Sequence, residues 1–117
     1  MRSLLFLFLL VPAAAGAQTI NPTNLDFDHP DFAQTDAYEV GYFSAVAAAA
    51  PVQTATLAKP ATCAPCSGAL PSRPTAFGNW WVAVRANAGG ASPVTSEWSN
   101  RVPFVRAPVA PVVRGLR

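Results

Sequence analysis

The chain has 117 residues, of which 51% are hydrophobic and 12% charged, with 12 prolines, 7 glycines and 2 cysteines. That length holds one domain with a small core and excludes a core plus an elaborate catalytic cleft. A net charge of +2 is too small to imply a nucleic-acid or anionic-membrane partner, and proline, at about 3 kcal/mol in a helix interior, argues against a coiled coil or helical bundle.

At the N-terminus, Met1 and Arg2 form a short positive region, residues 4–11 are apolar, and Ala15-Gly16-Ala17 is a small-x-small pattern. Together they predict a secretory signal peptide over residues 1–17, cleaved before Gln18. The apolar run falls short of the roughly 20 residues that cross a bilayer, so no stable membrane span is expected after cleavage. No cysteine follows the run, which excludes the lipid-modified kind of bacterial signal. The expected location is secreted, extracellular or periplasmic.

Beyond the signal the pattern is one of short strands between turn-formers. Leu25-Asp26-Phe27 alternates and stops at Asp28-His29-Pro30-Asp31, a turn cluster. Residues 38–45 put Tyr38, Val40 and Tyr42 on one face of a strand. The alanines at 47–50 end at Pro51 and are too few for a helix, so a loop or single turn is expected. Residues 52–57 alternate as an edge-type strand. Pro60, Pro65, Pro71, Pro74 and Gly68 leave room only for a brief strand near Ala69-Leu70. Residues 80–87 are the strongest segment, with Trp80, Val82, Val84 and Ala86 on one face and Trp81, Ala83, Arg85 and Asn87 on the other. After a turn at Gly89-Gly90, a last strand is expected over residues 97–105. Such spacing argues for an all-β chain, an antiparallel β-sandwich of about six or seven strands. Its expected core is thin: Phe27, Tyr38, Val40, Tyr42, Trp80, Val82 and Val84.

Trp80-x-Val82-x-Val84-Arg85-Ala86-x-Ala88-Gly89-Gly90, followed by Ser96-Glu97-Trp98-Ser99-Asn100, resembles the last two strands of a fibronectin type III domain. Leu25-Asp26-Phe27 and Tyr38-Glu39-Val40-Gly41-Tyr42 resemble its second and third. The resemblance spans roughly residues 22–104, is specific only over 80–100, and implies an immunoglobulin-like sandwich over residues 18–105. Position 80 holds Trp where the family commonly has Tyr, which removes the hydroxyl of the tyrosine-corner hydrogen bond. The first strand is short or missing. Residues 106–117, rich in Pro, Val and Arg, resemble the linker that opens a following repeat.

Thr95-Ser96-Glu97-Trp98-Ser99 is also similar to the tryptophan-serine box of cytokine-receptor modules, with Thr95 in the place of the first tryptophan. In that family arginines of the neighbouring strand interleave with the tryptophans, which implies that Arg85 lies across from Trp98. Trp81, Arg85 and Trp98 then form either a stack that stiffens the sheet or an aromatic platform for a sugar or protein. A guanidinium over an indole gains about 0.5–2 kcal/mol.

Cys63-Ala64-Pro65-Cys66 has redox-motif spacing, but prolines on both sides leave no helix to lower a thiol pKa, so a local structural disulfide is expected. A zinc half-site would have only His29 to add a nitrogen ligand. Asp26, Asp28, Asp31 and Asp36 lack the glycine and terminal glutamate of a helix-loop-helix calcium loop, so they are expected as solvated turn carboxylates. No nucleophile elbow, phosphate loop or second histidine is present, so no catalytic residue, metal or cofactor is expected. The sequence thus points to a non-catalytic module that binds an extracellular protein or glycan. The alternative is an assembly subunit that self-associates by adding its C-terminal tail to a sheet edge. Thiol redox chemistry through the CxxC pair is the outsider.

Overall fold

The computed structural model describes residues 19–90 and 92–117. The expected signal peptide lies outside the described residues. Among those residues, no helix is long and apolar enough to cross a membrane.

The chain is all-β. Its strands are β1 (Thr19–Ile20), β2 (Asn24–Phe27), β3 (Ala37–Phe43), β4 (Gln53–Ala58), β5 (Cys66–Ala69), β6 (Gly78–Ala88), β7 (Val94–Thr95) and β8 (Val102–Arg106). A large sheet runs β1-β8-β6-β3-β4, with β7 also on β6, and a small sheet pairs β2 with β5. The turn cluster expected at residues 28–31 is followed by one 3-10 turn, Phe32–Gln34.

Side-chain alternation explains the layers. The register sets Tyr38, Val40 and Tyr42 of β3 opposite Ala86, Val84 and Val82 of β6, so these residues share one face of the large sheet. That face carries the core, to which Leu57, Leu70, Trp80 and Phe104 also belong, while Leu25 and Phe27 of the small sheet pack against it. Phe27 meets Tyr38 edge-on, with ring centroids 4.8 Å apart. The alternate residues Glu39, Gly41 and Phe43 lie opposite Arg85, Ala83 and Trp81, on the outer face.

Two expectations need correction, and two are sharpened. The strands are not all antiparallel: β1 runs parallel to β8. The first strand, expected short or missing, is short: it covers two residues, and Asn21, at φ 48°, turns the chain immediately after Ile20. The last strand is not continuous over residues 97–105; β7 and β8 flank an irregular segment at 96–101, for a reason given below. The brief strand expected near Ala69 begins earlier, at Cys66.

Trp80 makes a hydrogen bond of its own at the start of β6. Its indole Nε1 donates to the Ala76 carbonyl at 3.0 Å, tying the start of β6 to the chain just before it. The C-terminal end of the large sheet is fastened by one side chain. Asn21 Nδ2 donates to the Ala107 carbonyl (3.0 Å), while its Oδ1 accepts from the Ala107 amide (3.1 Å) and from Arg106 Nη1 (2.6 Å).

Candidate functional site: the outer face of the large sheet

The irregular segment at 96–101 is held to β6 by its two serines. Ser96 donates its amide to the Ala86 carbonyl and accepts the Ala86 amide on its hydroxyl, both at 2.9 Å. Ser99 repeats the pattern on Val84, at 2.8 and 2.9 Å. Serines three residues apart thus engage strand residues two apart, so the segment must wind rather than run extended. Serine is suited to this, because its hydroxyl takes the place of a backbone carbonyl as acceptor. Those hydroxyls also donate, to the Glu97 and Asn100 carbonyls.

The winding lays Trp98 back over the outer face. The Arg85 guanidinium lies 4.4 Å from its ring centroid, and Phe43 meets it edge-on at 5.5 Å. Arg101 covers Phe43 at 3.8 Å from the ring, and its Nη1 donates to the Val46 carbonyl at 2.8 Å. Glu39 accepts from Arg85 Nε at 2.5 Å. The result is a ladder, Glu39, Arg85, Trp98, Phe43 and Arg101, in which two adjoining rings are flanked by two cations and the first cation is paired with an acid. Phe43 is fully buried beneath it.

Gly41 makes the ladder possible. A Cβ there would lie 2.8 Å from Cη2 and 2.9 Å from Cζ3 of Trp98, closer than real carbon contacts, so only glycine lets the indole lie this near the strand.

Of the residues expected here, the structure brings Arg85 and Trp98 together. Trp81 sits on the same face, opposite Phe43 in register, but joins no stacked pair among the described residues. Sequence reasoning missed Glu39, Gly41, Phe43 and Arg101. Strand parity carried a signal for the first three, which lie at alternate positions on β3.

Cys63 and Cys66 are joined as a disulfide, with Cys66 buried at the start of β5. Such bonds are commoner in oxidising compartments than in the cytosol. His29, considered above as a metal ligand, bonds through Nδ1 with the Tyr38 hydroxyl (3.0 Å) and approaches Thr35 (3.4 Å). Burial raises the Tyr38 pKa, and a Thr35 hydrogen bond offsets this in part. Asp26, expected in a turn, lies in β2 and accepts from Ser67 Oγ of β5 at 2.6 Å, bridging the small sheet, while Asp36 accepts from the Gly89 amide at 2.5 Å. Tyr42, whose hydroxyl donates to the Pro71 carbonyl at 2.6 Å, is pushed up to about 12 by burial, with Arg73 opposing.

Comparison with family models, with curated proteins and with solved structures finds no match to this chain.

Proposed function

We propose that this chain is a secreted, non-catalytic binding module on a fibronectin type III-like sandwich plan, and that it recognises an extracellular protein or glycan through its outer Trp/Arg face and the adjoining loops. One observation carries the reading: the ladder from Glu39 to Arg101 holds aromatic and cationic groups in fixed positions on the face turned away from the core. Rings already locked in place lose little freedom when a ligand lands on them, which favours affinity. Trp81, half-buried beside this array and free of stacking among the described residues, is the ring offered to a ligand; Trp98 is largely committed to the sheet.

The test is a binding screen against arrayed glycans and fractionated extracellular proteins, run with native chain and with Trp81 and Trp98 replaced by alanine. An unchanged set of interactions after both replacements contradicts the reading.

A second reading, assembly through the C-terminal tail, is favoured by a separate observation. Val109, Val112, Val113 and Leu116 are between 78% and 94% exposed, an apolar stretch that a partner surface would cover.

A further inference from the structure

The small sheet is two strands wide, so each strand has one edge with no strand beside it among the described residues. For β2 this is the edge away from β5. A groove of about 530 Å³ is lined there by Leu25 and Phe27 and reaches Val82 and Val84 of the core. A second hollow of about 210 Å³ shares Leu25, Asp26, Val82 and Val102 with it. A bare edge beside open core surface is a template for an added strand: main-chain hydrogen bonds supply affinity and side-chain pockets supply register.

The charged lining is acidic in balance. Asp26, Asp28 and Glu97 border the groove, while the one arginine there, Arg85, is already paired with Glu39. The described tail has the opposite character. Among valines and prolines its charged side chains are Arg114 and Arg117, and Asn21 fastens its root at Ala107. Pro108 and Pro111 favour an extended course of about 3 Å per residue, and Val109, Val112, Val113 and Leu116 stand exposed, none of them lining the groove of their own domain.

We propose that residues 112–116 of one copy add as a strand to the outer edge of β2 in a second copy, with Arg114 facing the carboxylates of the groove rim, Asp26, Asp28 and Glu97, and Arg117 following just beyond the strand end. The inference rests on the assembly reading and names its receiving site. Each copy then both donates a tail and accepts one, a head-to-tail association.

The experiment measures mass by light scattering across a wide concentration range, using the exported chain, a tail-reversed variant (Arg114→Glu, Arg117→Glu) and a groove-reversed variant (Asp28→Arg, Glu97→Arg). Near-ultraviolet dichroism of the tryptophans checks that each variant is folded. The native chain should reach about twice its monomer mass or more. Each reversed variant alone should associate at least about tenfold more weakly, and an equimolar mixture should regain mass, because reversed groove then meets reversed tail. A native chain that stays monomeric at every concentration overturns the assembly reading and this site with it. Association lost on tail reversal but kept on groove reversal overturns the site while leaving tail-driven assembly standing. A folded mixture that regains no mass also overturns the proposed pairing.

Discussion

Ser99 and Val84 exchange two hydrogen bonds: the Ser99 amide reaches the Val84 carbonyl at 2.8 Å, and the Val84 amide reaches the Ser99 hydroxyl at 2.9 Å. A side chain here closes a backbone ladder. Replacing Ser99 by alanine removes the acceptor that the Val84 amide meets on this side of β6. The expected loss is about 1–2 kcal/mol, which in a domain of this size lowers the melting temperature by about 4–8 °C for each kcal/mol. Thermal unfolding of Ser99→Ala checks this, and an unchanged midpoint would show that the hydroxyl is dispensable.

The contact between Gly41 and Trp98 predicts a sign. In most strands glycine to alanine is favourable by about 0.5–1 kcal/mol. Here the new methyl meets the indole, so Gly41→Ala is expected to cost about 1–3 kcal/mol. In a Trp98→Ala background the same substitution should be neutral or stabilising. A double-mutant cycle by urea unfolding measures the coupling; additive effects would mean that the two residues do not meet.

Two tyrosines make alkaline titration readable. Tyr42 is held up to about 12 and Tyr38 is raised, burial being the main cause for both. A raised tyrosine pKa means that the folded state keeps its proton longer than the unfolded chain. The linked stability is therefore complete below pH 10, the ordinary tyrosine value, and is lost as pH rises from there through about 12. Phenolate absorbance of the folded protein should lag behind that of the urea-unfolded chain over this interval, and coincident titration curves would contradict the burial argument.

The Cys63–Cys66 disulfide closes a short loop. By the chain-entropy estimate it contributes at most about 2 kcal/mol. Thiol titration of native protein should find no free thiol, and the reduced protein should stay folded. A reactive, readily exchanging pair would instead revive thiol redox chemistry.

Much of the fold was legible because alternation is a local signal. Tyr38, Val40 and Tyr42, and Trp80, Val82 and Val84, announce their shared face by spacing alone, and all six are buried in the core. The segment at 96–101 was not legible as irregular, since nothing in its composition reveals that the Ser96 and Ser99 hydroxyls replace backbone acceptors on β6. The outer face was half legible. Arg85 and Trp98 follow from the tryptophan-serine likeness, whereas the role of Gly41 depends on how closely an indole from a distant segment approaches it. Asn21 shows the same limit: its clamp on Arg106 and Ala107 spans most of the chain, and no local pattern encodes it.

The division of labour between the two outer tryptophans is the central claim, and parallel titrations test it most directly. Trp81→Ala and Trp98→Ala are each titrated with a ligand found in the screen, and their thermal unfolding is followed alongside. Trp81→Ala should unfold within about 0.5 kcal/mol of the native chain yet bind at least about tenfold more weakly. Trp98→Ala, which dismantles the ladder, should lose stability as well as affinity. A Trp81→Ala protein that binds as tightly as the native chain would contradict the account.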